Sequence, residues 1–125
     1  MPRAILEETL IHPDIVTKIA THNQEIIEEV QRAVTFNKIV IVGMAVNPHP
    51  KRARKLLDEK GLKYKYLEYG SYLSGWRQRT ALKMWTGWPT FPMIFVMGSF
   101  IGGADELQRL AESGELQRLL ENKPA

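Results

Sequence analysis

A chain of 125 residues, 44% apolar and 25% charged, predicts one soluble domain able to bury a core. Its net charge of +3 permits an anionic partner without requiring one. It contains no cysteine, which excludes disulfides, thiolate chemistry and the protein's own ligands for an ordinary iron–sulfur cluster.

The N-terminus, MPRAILEETLIH, carries acidic residues where a secretory leader needs an unbroken apolar stretch. No run approaches the roughly 20 apolar residues of a membrane span. A cytoplasmic protein with no membrane partner is the expectation. His12, His22 and His49 lack a zinc-like spacing, so no metal site is expected.

Residues 1–36 read as a helical extension. Ile5, Leu6, Leu10, Ile15, Val16 and Ile19 give short helical patterns broken at Pro13. Asn23 is placed to cap a helix carrying Ile26, Ile27, Val30 and Val34 on one face. Glu25, Glu28 and Glu29 load its first turns with charge that suits the helix dipole.

The main domain is expected over 37–121, with a frayed tail at 122–125. Lys38-Ile-Val-Ile-Val-Gly43 reads as a buried central strand. The turn Asn47-Pro48-His49-Pro50 follows. Asn47 is a good N-cap, Pro48 falls at the favoured first helical position, and Pro50 lacks an N–H that would have been an orphan anyway. The helix carries Ala53, Leu56 and Leu57 and stops at Gly61. Tyr64, Tyr66 and Leu67 suggest a second strand, parallel to the first through a right-handed crossover.

Residues 72–86 read as a helix holding Leu73, Trp76, Leu82 and Trp85. Pro89 and Pro92 bound a turn. Met93 to Met97, Gly98-Ser99 and Phe100-Ile101 form a hairpin, which Gly102 and Gly103 end. Asp105 is placed to cap a helix with Leu107, Leu110 and Ala111, continued after Gly114 by Leu116, Leu119 and Leu120. The order βαβαββα predicts an α/β domain, a mixed sheet with helices on both faces.

Three segments resemble the glutaredoxins. Asn47-Pro48-His49-Pro50-Lys51-Arg52-Ala53 is similar to the family's Cys-Pro-Tyr-Cys-Lys-Arg-Ala with both cysteines replaced. Trp88-Pro89-Thr90-Phe91-Pro92 resembles its Trp-Pro-Thr-x-Pro, whose last proline is cis. Gly98-Ser99-Phe100-Ile101-Gly102-Gly103-Ala104-Asp105 resembles its Asn-Gly-x-Phe-Ile-Gly-Gly-x-Asp. The match covers about residues 37–120. Arg79 and Lys83 also match the monothiol branch. The resemblance implies a thioredoxin fold, with a four-stranded mixed sheet flanked by helices. It implies a groove for glutathione: Arg79 and Lys83 at the glycyl carboxylate, Thr90, Phe91 and Pro92 along the cysteinyl backbone, and Gly103, Ala104 and Asp105 at the γ-glutamyl end. The departures are Asn47 at the nucleophile position, Pro50 at the resolving position, and Met44 where the family has a lysine.

Bland readings stand beside these. Arg79 and Lys83, at i and i+4, also read as two surface cations. Thr90-Phe91-Pro92 also reads as a shaper of the sheet edge. Lys51, Arg52, Arg54 and Lys55 read equally as a solvated helix face or an anion-attracting patch, with no aromatic-interleaved motif to support nucleic acid. His49 lacks an evident orienting carboxylate, Trp85 and Trp88 read as packing residues, and Tyr69, Tyr72 and Trp76 read as core in preference to an exposed partner patch. The expected function is a binding protein without thiol redox activity. It requires no cofactor and takes glutathione as a weak ligand or a peptide-like ligand in its place. The alternatives are a protein-interaction module with a dead groove, or a glutathione-dependent thiol–disulfide oxidoreductase, which the missing cysteine opposes.

Overall fold

The computed structural model of the chain describes residues 3–21, 23–71 and 74–121. In chain order, the helices Pro13–Thr21 (α1) and Gln24–Phe36 (α2) precede the first strand, Ile39–Gly43 (β1). Pro48–Glu59 (α3), Lys65–Glu68 (β2), Trp76–Thr86 (α4), Met93–Val96 (β3), Ser99–Gly102 (β4), Ala104–Ser113 (α5) and Glu115–Glu121 (α6) follow. The sheet order is β2-β1-β3-β4, with β1 parallel to β2 and antiparallel to β3. Among the described residues, no helix is long and apolar enough to cross a membrane.

The two-residue period of β1 sorts the core. Val40 and Val42 face Ile26 and Val30 of α2 and Ala81 and Leu82 of α4. Ile39 and Ile41 face Ala53 and Leu57 of α3, Leu107 of α5 and Leu116 of α6. Both faces are therefore sealed, and all five residues of β1 are buried. Leu57, Leu82 and Leu107 are fully buried, each worth about 1.5–3 kcal/mol of burial. The helix α2 belongs to this sandwich, whereas α1 buries no residue.

Local signals place the helix ends. Asn47 caps α3. At its other end Gly61 N–H donates to the Asp58 carbonyl and Leu62 N–H to that of Leu57, a Schellman closure made by a left-handed glycine at φ 68°. The β3–β4 hairpin turns on Met97 and Gly98, both at positive φ, one residue earlier than expected.

The structure corrects other expectations. The helix expected over 72–86 begins at Trp76, because Ser71 and Ser74 pair across a tight loop between Gly70 and Gly75. A Cβ on Gly75 would lie 2.8 Å from Gly70 Cα. Tyr72, Leu73 and the tail 122–125 lie outside the described residues. Trp76, expected in the core, is 61% exposed, while Tyr69 is buried as expected. Asn23 occupies the N-cap position of α2 but is left-handed and makes no side-chain cap. Asp105 does not cap α5. Gly103 holds the cap position, and Glu106 Oε1 accepts the Gly103 N–H at 2.9 Å.

Candidate functional site

The C-terminal end of β1 and the start of α3 form the first wall of the site. Tyr69 N–H donates to the Gly43 carbonyl and Ala45 N–H to that of Gly70, so the turn is tied to the loop after β2. Val46 then adopts φ 66° while 72% exposed. A β-branched residue in that region carries strain, of order 1–3 kcal/mol. Asn47 is buried, and its Oδ1 accepts the His49 N–H at 2.9 Å. Pro50 packs down on Gly43, where an added Cβ would lie 2.9 Å from Pro50 Cβ and 3.0 Å from the Tyr66 ring. Burial, and then a hydrogen bond to Glu68, pushes the Tyr66 phenol up to about 12, against the opposing Arg54 guanidinium 4.3 Å from its ring.

Met44, the residue standing where the resemblance places a lysine, turns inward. It is 7% exposed and packs in the core with Tyr69 and Phe91. Tyr69 in turn donates its hydroxyl to Glu29 of α2 at 2.7 Å, and burial together with that bond raises its phenol well above the ordinary value.

Arg79 departs from the reading as a surface cation. It is 8% exposed, and its Nη1 donates to the carbonyls of Tyr69 and Ser74. The close approach of Gly70 and Gly75 converges these two carbonyls, and a guanidinium is the donor that can serve both. Lys83, one turn later, stays exposed with Nζ 5.9 Å from the Phe91 ring centroid. The spacing of four therefore does not hold the two cations together on an open face.

The Phe91–Pro92 peptide is cis. The Phe91 side chain is buried, Thr90 is exposed and Pro92 is buried. Trp85 stacks on Phe95 at 5.9 Å and Trp88 meets Phe100 edge-on at 5.7 Å, so both are packing residues.

The third wall is the start of α5. Gly102 is left-handed at φ 106°, and a Cβ there would strike Glu106 Cγ at 2.8 Å. Ala104 is buried and Asp105 exposed. Asp105 Oδ1 lies 2.8 Å from Arg52 Nη2, which also lies 3.3 Å from His49 Nδ1. Arg52 thus bridges the starts of α3 and α5, a link that sequence spacing does not reveal. The bridge is half exposed and worth at most about 1 kcal/mol. Glu106 also escapes the sequence reading, although an acid three residues after a cap position is a capping-box signal. Among the described residues, no three His, Asp or Glu side chains gather as a metal site.

The site thus consists of three segments converging at one end of the sheet: the Asn47 turn, the Phe91–Pro92 peptide and the start of α5, with Lys83 beside them. Comparison with known proteins identifies the family. The glutaredoxin family model matches residues 39–101. A glutaredoxin-like protein of Dictyostelium discoideum is 46% identical over 105 residues, covering 84% of this chain and 85% of its own. A glutaredoxin of Ricinus communis is 37% identical over 87 residues, covering 70% and 85%. A buckwheat glutaredoxin solved in complex with glutathione superposes with a TM-score of 0.69 at 29% identity, covering 78% of this chain and 88% of the other. The fold is that of the thioredoxin and glutaredoxin proteins, and the chain belongs to the glutaredoxin family.

Proposed function

We propose that this glutaredoxin acts by binding and not by thiol exchange, and that it keeps a weakened groove for glutathione or a peptide-like ligand. One observation carries the reading. The residue at the nucleophile position, Asn47, is buried and engaged in capping α3, in a chain with no thiol anywhere. Thiol exchange needs a thiolate attacking a disulfide sulfur, and an amide cannot substitute. Nor does the Asn47 turn fit an iron–sulfur cluster, because an amide oxygen already accepting an N–H is no thiolate ligand.

The groove reading rests on the residues that persist: the backbone at Phe91, the N–H groups that open α5, exposed Asp105 and exposed Lys83. It is also the chemistry named for the buckwheat relative, which was solved with glutathione. Methionine in place of lysine at position 44 leaves the ligand short of a charge-assisted hydrogen bond of about 1.5–3 kcal/mol, or roughly tenfold or more in affinity. Binding in the high micromolar to millimolar range is expected.

A second reading, an interaction module whose groove is closed, is favoured by three particulars. Arg79 is turned into the loop, the Gly103 N–H is taken by Glu106, and Asp105 is paired with Arg52. A nuclear magnetic resonance titration separates the two. Millimolar glutathione and S-methylglutathione are expected to shift the Phe91, Ala104 and Asp105 amides alike, since no protein thiol awaits the sulfur. If neither ligand moves these signals, the groove reading fails and the interaction module replaces it. Glutathione-dependent disulfide reduction above a heat-treated control would overturn both.

A further inference from the structure

Arg52 stands on the second turn of α3 and Asp105 on the first turn of α5, and their charges meet at 2.8 Å. The charges are matched, but the hydrogen-bonding capacity of the pair is unspent. Among the described residues, Arg52 makes one hydrogen bond, from Nη2 to His49 Nδ1 at 3.3 Å. A guanidinium only donates, so the ring nitrogen is the acceptor, and most of the five N–H groups of Arg52 remain free. The Asp105 carboxylate makes no side-chain hydrogen bond among the same residues. Water reaches both partners, which are 45% and 62% exposed. His49 therefore holds the guanidinium at one nitrogen, and the rest of the pair faces outward.

The backbone beside it offers less. Pro48 and Pro50 have no N–H, and the His49 N–H is held by Asn47. At α5 the Gly103 N–H is taken by Glu106. The guanidinium is thus the group of α3 that brings both a full positive charge and free donors to the start of α5.

Such a pair selects among charged ends. A lone ammonium is drawn by Asp105 and repelled by Arg52, and a lone carboxylate meets the reverse. An ammonium and a carboxylate on one carbon suit both residues at once. The γ-glutamyl end of glutathione keeps these two groups together, whereas an ordinary peptide N-terminus has an amide in place of the carboxylate. We propose, on the groove reading, that Arg52 is a specificity-determining residue of this site. It takes the α-carboxylate while Asp105 takes the ammonium, so the ligands are γ-glutamyl peptides and not peptide N-termini at large.

Nuclear magnetic resonance titrations of the full chain, followed on the Phe91, Ala104 and Asp105 amides, test this with three compounds. These are glutathione, glutaryl-cysteinylglycine, which lacks the ammonium, and 4-aminobutyryl-cysteinylglycine, which lacks the α-carboxylate. Each analogue should bind the wild-type protein about fivefold or more weakly than glutathione, as for loss of one half-exposed charge-assisted contact. Arg52→Ala and Arg52→Gln should abolish the preference for glutathione over the 4-aminobutyryl compound. Asp105→Asn should abolish the preference over the glutaryl compound. A link that only ties α3 to α5 predicts no such crossed pattern. Equal weakening of all three compounds by the Arg52 changes would mark a structural role. Tighter glutathione binding in those variants would mark Arg52 as a plug on Asp105. An undiminished preference for glutathione would place its carboxylate elsewhere. Each of these overturns the proposal while leaving the groove in place. If none of the three compounds moves the wild-type amides, the groove reading itself fails and takes the proposal with it.

Discussion

Two helices of this protein begin directly after a strand or its turn at the same end of the sheet, and they begin in opposite ways. At α3, Pro48 and Pro50 have no N–H, and the His49 N–H between them is held by Asn47. The first three helical positions therefore offer no free donor, so the end of the helix where anions are ordinarily bound is silent. At α5, Ala104, Asp105 and Glu106 all carry an N–H, and Gly103 has no side chain with which to cap them. Glu106 instead turns back to the Gly103 N–H. One start has been closed by its own sequence. The other has no N-cap side chain over its first turn. The absence of the thiol and the absence of donors around it are thus one local event, and the fold has confined it to a single turn.

The contrast can be broken or sharpened by substitution. The closed start is propped from beneath by the packing of Pro50 on Gly43. Gly43→Ala should destabilise the protein by about 1–3 kcal/mol through overpacking, read as a lowered denaturant midpoint with an unchanged slope. Asn47→Ala should cost about 1 kcal/mol by removing the cap; an unchanged unfolding curve would refute the capping account of this turn. Val46→Gly addresses the strained residue that leads into it. Relief of the left-handed conformation should outweigh the greater chain entropy of glycine, raising stability by up to about 1 kcal/mol in the same assay. Gly103→Ser makes the open start resemble the closed one. Its stability change should stay within a few tenths of a kcal/mol, the ordinary difference between these residues at a cap, while the glutathione-dependent shifts at Ala104 and Asp105 disappear. Persistence of those shifts would show that the α5 amides are not what the ligand meets.

The features legible in the sequence share a physical cause. Four consecutive apolar residues ended by glycine leave few options other than a central strand, and Asn47-Pro48 places a cap and a first helical turn with little ambiguity. The features that sequence does not reveal depend on how chain segments distant in sequence meet. The spacing of Arg79 and Lys83 fixes a helix face but not which cation turns inward; that choice is made by two carbonyls brought together by Gly70 and Gly75. Asp105 reads as a cap because aspartate is the commoner capping residue, yet the chain enters the helix two residues earlier than that and leaves Glu106 in reach of the Gly103 amide. Trp76 reads as core only if the helical pattern is carried back through a loop that the Ser71–Ser74 pair closes. Asn23 reaches the expected position with a backbone conformation that prevents its side chain from doing the expected job.

The inward turn of Met44 has a consequence for any attempt to build a thiol site into this turn. Asn47→Cys alone would forfeit the cap and present a thiol without an N–H at position 50 and without a nearby cation at position 44. Met44→Lys alone would place a charge where the side chain is 7% exposed, among apolar neighbours. Pro50→Cys alone would give up the buried ring that rests on Gly43. Each single step toward a thiol site is expected to lower stability, and none by itself supplies the full set of thiol, donor and cation. The turn therefore resists stepwise conversion: three positions must change together before any one change is repaid.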